Sequence, residues 1–246
     1  MKIVYVKDYD ALSEAGASIL LEHIKAKPSL TMGLATGGTP KGTYEKLINM
    51  SEQEKVSFEQ VRTFNLDEYV GLSKEDPNSY HHYMKGMLFN HINIQSTHTF
   101  IPNGEAASIE LECQDYEQRI KAEGGIDIQL LGIGNNGHIG FNEPGTDFSE
   151  TTHMVELADA TREANARYFN AKEDVPKQAI TMGIASIMAA KEILLLISGK
   201  DKQHAFSTLI EGGIDQAFPA SILKEHPRVT VIVDRDAAGQ YFDESA

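Results

Sequence analysis

A chain of 246 residues has enough apolar side chains to bury a core without disulfides or metal staples, and its one cysteine, Cys113, can form no internal bridge. With 36 acidic against 22 basic residues, the formal charge of −14 repels nucleic-acid backbones and anionic lipid surfaces, so neither is an expected partner. The opening "MKIVYVKDYD" lacks the apolar stretch of a secretory signal, and the densest apolar run, Ile193 to Ile197, is too short to span a bilayer; a cytoplasmic protein with a single domain over 1–246 is expected.

Short β-branched or apolar runs predict strands at Ile3–Val6, Thr31–Ala35, Val61–Leu66, Thr99–Ile101, Asp127–Ile133, Thr152–Leu157, Ile193–Ser198 and Val229–Val233. Amphipathic segments lie between them. In Ser108–Ala122, for instance, Ile109, Cys113, Tyr116 and Ile120 recur at helical spacing behind a serine cap. This alternation predicts an α/β fold: a doubly wound, Rossmann-like α/β/α sandwich around a mostly parallel sheet. Ligands of such sheets bind outside the carboxyl ends of the strands, so the strand-to-helix junctions are where chemistry is expected.

Three junctions stand out. In "LATGGTPKGTYEKL" (34–47) a strand runs into Gly37, Gly38 and Thr39 and then into a helix whose first turn accepts Pro40. Adjacent glycines permit positive φ and close backbone approach beside a helix N-terminus, the physics of a phosphate cradle. A plain βα turn fits these residues equally well, and no Walker spacing follows. In "VRTFNLDEYVGL" (61–72) a strand ends in Asp67 and Glu68. A carboxylate there can meet a bound ligand or simply face water, and since neighbouring strand residues point to opposite sides, at most one of the two is the working group.

The third junction, "LLGIGNNGHIGFNEPG" (130–145), holds the spacing G-x-G-x-x-G after a buried strand, with Glu156 near the place of an acidic ribose partner. A dinucleotide fingerprint needs a helix to start at its third glycine, whereas here Gly137 is followed by Gly140, Pro144 and Gly145, which break any helix. What remains is a bent loop displaying Asn136, His138, Asn142 and Glu143. Histidine can act as acid and base in turn, and a neighbouring amide and carboxylate can fix its tautomer and stabilise its charge. His81 and His82 are adjacent, point to different helix faces and make a poor metal pair, while Tyr80, Tyr83, Met84 and Met87 read as core or pocket lining. Cys113 sits on an apolar helix face and reads as inert.

With these junctions assembled, the sequence resembles the glucosamine-6-phosphate deaminase (isomerase) family. The resemblance rests on "GLATGGTPKGTY", "FNLDEYVGL", "DPNSYHHYM", "LLGIGNNGHIGFNEPG", "TREANARYF", "VPKQAITMGI" and "LLLISGKDK", in order from near residue 30 to beyond residue 200. It implies conversion of glucosamine 6-phosphate and water into fructose 6-phosphate and ammonia, with no cofactor or metal. It assigns Asp67 as the base at C2 and His138 as the acid/base for ring opening, held and polarised by Glu143 and residue 136. Many relatives have aspartate at that last position; Asn136 can accept the imidazole N–H but adds no charge. The phosphate would sit at Gly37, Gly38 and Thr39 with Arg167 and Lys202 as cations.

One departure bears on regulation. Hexameric relatives bind an allosteric N-acetylated sugar phosphate through cations after "FNEP", where this chain has His153 and Val155 in "TTHMVEL". A monomer or low oligomer without an N-acetylglucosamine 6-phosphate site is therefore expected. A lactonase-type hydrolase on the same scaffold and a sugar-phosphate sensor are the competing readings; the sensor lacks any accompanying basic DNA-binding segment.

Overall fold

The computed structural model describes residues 1–242 except 167, 168 and 170. In chain order the elements are β1 (Lys2–Val6), α1 (Tyr9–Ala26), β2 (Thr31–Leu34), α2 (Lys41–Glu54), β3 (Arg62–Asn65), β4 (Asp67–Tyr69), α3 (Tyr80–Met87), β5 (Thr99–Phe100), α4 (Ile109–Ala122), β6 (Ile128–Leu131), β7 (His153–Glu156), α5 (Asp159–Asn165), β8 (Gln178–Thr181), α6 (Ile184–Met188), β9 (Glu192–Ile197), α7 (Gln203–Glu211), β10 (Val229–Asp234) and α8 (Arg235–Ala238). Seven of the strands form one sheet in the order β1-β10-β9-β6-β2-β3-β5, and every pairing in it is parallel.

A strand's two-residue period explains why both faces are apolar and why helices cover both. Ile193, Leu195 and Ile197 of β9 join the core formed with α4, α6, α7 and α8. Leu194 and Leu196, one step out of phase, join the core formed with α1, α2 and α3. Asp8 starts α1 by accepting the Ala11 N–H at 2.9 Å, and Ser108 starts α4 by accepting that of Leu111 at 3.3 Å, as its sequence predicts.

From β2 the chain moves outward through β3 to β5 and then returns to place β6 on the other side of β2. The turn after β2 leads to α2 on one face, while the loop after β6 sends Ile133 and Ile139 into the core on the other. A crevice opens between these two departures at the carboxyl edge of the sheet, where open α/β folds bind ligands.

The structure differs from the sequence reading in one respect that matters for the site. The predicted strand over 152–157 does not join the parallel sheet; β7 pairs antiparallel with β8, which pairs antiparallel with β4. This second sheet closes over the carboxyl edge, with the Met182 N–H donating to the Leu66 carbonyl at 2.6 Å where β3 passes into β4. Among the described residues no helix is long and apolar enough to cross a membrane.

Candidate active site

The glycine-rich loop after β6 runs without a helix from Gly134 to Gly145. Its glycines serve an imidazole instead of a pyrophosphate. A Cβ on Gly134 would lie 2.2–2.4 Å from His138 ring atoms, so the ring rests directly on this backbone, and Gly137, at φ +85°, gives the left-handed turn that brings it there. Asn136 Oδ1 lies 2.8 Å from His138 Nδ1 and also accepts the His138 backbone N–H at 3.2 Å, while Asn136 Nδ2 donates to Glu143 Oε2 at 2.7 Å. These two contacts fix which end of the amide faces the ring. Nδ1 must therefore be the donor, and in the neutral ring the lone pair is on Nε2.

Glu143 completes the group. Its Oε1 lies 3.6 Å from His138 Nδ1 and accepts from the Thr161 hydroxyl of α5. Burial raises its pKa, but the hydrogen bonds from His138, Thr161 and Asn136 and the charge on His138 outweigh this and hold it down at about 2. It is thus a carboxylate throughout the neutral range. Asn142, by contrast, is not displayed. It is fully buried, and its amide donates to the carbonyls of Ile139 and Met182 at 2.8 and 2.9 Å, tying the loop to the end of β8.

Asp67 begins β4 opposite Thr181 of β8 and is 7% exposed. Gly140, at φ +58°, passes close by: a Cβ there would lie 2.9 Å from the Thr181 hydroxyl oxygen and in ordinary contact, 3.7 Å, with Asp67 Oδ2. Burial is the main cause that pushes Asp67 up to about 8, and the neighbouring Glu68 charge adds to it. The aromatic rings of Tyr69, Tyr80, Phe141 and Phe169, with centroids 5.0–6.3 Å apart, supply the apolar wall. Strand alternation sends Glu68 the other way, to the N-terminus of α3.

In the turn after β2, Gly37 has φ +95° and its carbonyl accepts from the Tyr83 hydroxyl at 2.7 Å. The Tyr9 hydroxyl lies 3.1 Å from the carbonyls of both Gly38 and Thr39 and accepts the Gly42 N–H at 2.9 Å. Carbonyl oxygens that would repel an anion are thus engaged by hydroxyls at the N-terminus of α2. Lys202 approaches from the loop after β9, its Nζ 2.5 Å from Asn135 Oδ1. That loop is anchored by buried Asp234, which accepts the Gly199 N–H at 3.2 Å.

One cavity of about 680 Å³ joins these parts: Asp67, Asn136, His138, Gly37, Gly38, Thr39 and Lys202 all line it. Glu143 stands behind His138, and Arg167 lies outside the described residues.

The sequence model of glucosamine-6-phosphate isomerases/6-phosphogluconolactonase matches residues 7–232. The chain belongs to this family. Within it, the glucosamine-6-phosphate deaminase of Shouchella clausii (strain KSM-K16) is 61% identical over 241 residues, covering 98% of each chain. Glucosamine-6-phosphate deaminase 1 of Bacillus subtilis (strain 168) is 54% identical over 238 residues, covering 97% of this chain and 98% of its own. A solved structure of a monomeric glucosamine-6-phosphate deaminase superposes with a TM-score of 0.95 at 54% identity, over 97% of this chain and 99% of that one.

Several residues of this family member's cavity escaped the sequence reading. Lys41, the first residue of α2, lines it beside Pro40, and Thr161 reaches Glu143 from α5, a helix the sequence reading did not single out. Lys41 carried a signal, a cation directly after a phosphate-type turn; Thr161 carried none. Gly134→Ala tests whether the glycine serves the imidazole. Gly134 does not have positive φ, so alanine fits the backbone but not the ring. A displaced catalytic group costs about 10²-fold, so kcat/KM should fall by roughly that much with the melting temperature nearly unchanged. Full activity would show that the ring does not work from this position.

Proposed function

We propose that the chain converts glucosamine 6-phosphate and water into fructose 6-phosphate and ammonia. The observation that carries this reading is a single cavity lined by a buried carboxylate with a raised pKa, an amide-held imidazole and a phosphate-type turn. Deaminases sharing 54–61% of its residues support it.

The phosphate sits on the amides around Gly37, Gly38 and Thr39, with Lys202, Lys41 and Arg167 as cations; this fixes one end of the sugar. His138 accepts the proton of the C1 hydroxyl through Nε2 and returns one to the ring oxygen, so the C1–O5 bond breaks and C1 becomes an aldehyde. Glu143 stabilises the imidazolium formed between these steps. Asp67 then removes the C2 proton, which the adjacent carbonyl and the substrate's own ammonium acidify; the electron pair forms the C1–C2 double bond, the C1=O pair moves onto O1, and O1 takes a proton from the ammonium to give an enolamine. Delivery of a proton from Asp67 to C1 leaves an imine at C2. Water adds there, ammonia leaves, and the ketose remains. Proton transfers and water addition account for every bond, so the chemistry calls for no redox cofactor.

Burial makes Asp67 too basic to be fully ionised at neutral pH. A bound ammonium supplies the opposite charge that burial withholds, lowers the Asp67 pKa and generates the base where it is needed. We place this reaction in the cytoplasm, as the single thiol suits a reducing compartment, and read 1–246 as one working domain.

We further propose a low oligomeric state without effector control; in support, β7 carries His153 and Val155 where cations are expected, and the His153 ring is engaged by the Thr151 carbonyl at 2.7 Å. Ammonia release against glucosamine 6-phosphate should follow a hyperbola that N-acetylglucosamine 6-phosphate leaves unaltered. A sigmoidal curve abolished by that effector would contradict the regulatory part; no ammonia release would contradict the whole.

A further inference from the structure

Glu68 is a buried carboxylate that the chemistry above does not use. It is 1% exposed, and both its oxygens are fully engaged. Oε1 accepts the backbone N–H groups of Tyr69 and Tyr80 at 2.9 and 3.0 Å; Oε2 accepts the backbone N–H of His81 at 3.1 Å and lies 3.0 Å from His81 Nδ1. The first N–H groups of a helix have no partner within it, and α3 satisfies three of them from outside: Tyr80 and His81 through Glu68, His82 through the Ser79 hydroxyl at 3.0 Å. A side chain from β4 is therefore the cap of a helix that starts 12 residues later.

That helix is also part of the cavity wall. Tyr80 packs against Tyr69 with ring centroids 5.0 Å apart, and Tyr83 donates to the Gly37 carbonyl in the phosphate turn. An unbroken set of contacts therefore runs from Asp67 through Glu68 and the first turn of α3 to Gly37. We propose that Glu68 is a positioning residue: it fixes the distance between the carbon-acid base and the turn that anchors the phosphate, so that C2 of a sugar held by its far end meets Asp67. This rests on the function proposed above.

A merely structural cap would affect melting temperature alone. A positioning residue affects kcat, and because the Glu68 charge lies one residue from Asp67 on the same strand, it also affects the pH profile. The titratable groups around Asp67 are Glu68 on its own strand, Tyr80 from α3 and Tyr116 from α4, and of these Glu68 is the one that raises Asp67 by its charge.

In the full chain, Glu68→Gln should lower kcat about 10- to 100-fold with KM changed less than about threefold, the pattern of misplaced reacting groups. The acid limb of kcat/KM should move to lower pH, since the charge beside Asp67 is gone. Glu68→Asp keeps the charge but is one methylene too short; its limb should stay in place while kcat stays low. His81→Leu, whose ring lies outside the cavity, removes one of the four donors and should lower kcat about three- to tenfold, which keeps the test open if Glu68→Gln does not fold. An active wild type with Glu68→Gln within twofold in kcat and an unmoved acid limb overturns the proposal while the function stands. A wild type that releases no ammonia overturns both.

Discussion

Asp67→Asn is expected to end ammonia release and C2 hydrogen exchange while making the folded chain more stable at alkaline pH. The catalytic loss follows from removing the one carboxylate that faces the cavity from β4; a positioned general base contributes about 10²–10⁴-fold, and asparagine cannot take up a proton. The gain in stability follows from the same burial that makes the base effective. Asp67 titrates at about 8 in the folded chain against 3.8 without the protein's influence. Between those values the unfolded chain has released the proton that the folded chain still holds, so stability falls as pH rises from about 4 to 8 and stays lower above that. Asparagine carries no such penalty. In urea titrations the two proteins should match near pH 4, and the variant should lead by a few kcal/mol at pH 9, as expected for a shift of several pH units at about 1.4 kcal/mol each. Equal stability at both pH values would mean that Asp67 is not strained by burial, and retained ammonia release would remove it from the chemistry.

What buries Asp67 also decides which parts of the site the sequence revealed. Strands with four or more apolar or β-branched residues were legible, and so was the failure of the G-x-G-x-x-G spacing as a dinucleotide loop, because Pro144 and Gly145 forbid the helix it needs. The second sheet was not. Its β7 lies within the predicted strand 152–157, but β4 read as the tip of the strand before it and β8 was not read as a strand, and their pairing joins positions more than a hundred residues apart. Without that sheet, Asp67 was a strand tip that read more readily as a solvated loop acid; the sheet is what buries it. Asn142 misled for a related reason. A polar residue in a loop reads as displayed, yet its amide satisfies a carbonyl of Met182 that only the folded chain brings near. The cap made by Glu68 was illegible in the same way, since capping rules look within a few residues of a helix start and this carboxylate arrives from the neighbouring strand.

His138→Gln should separate the two halves of the reaction. Glutamine can occupy the ring's place against Gly134 and can hydrogen-bond to Asn136, but it cannot hold a proton in transit. Release of ammonia from the closed pyranose should fall by about 10²–10⁴-fold, the usual contribution of a positioned acid/base. The carbon-acid step should survive, because Asp67 is carried by β4, paired with β8, and not by the loop that carries the imidazole. The measurement is hydrogen exchange at C1 of fructose 6-phosphate in the presence of ammonium, where the open keto form already exists in solution and forms the imine without ring opening by the protein. Retained exchange beside lost deamination places His138 at the hemiacetal alone. Loss of both would mean that the imidazole also governs the proton at carbon, and Asp67 would then need a partner that its burial, its raised pKa and its place opposite Thr181 give no reason to expect.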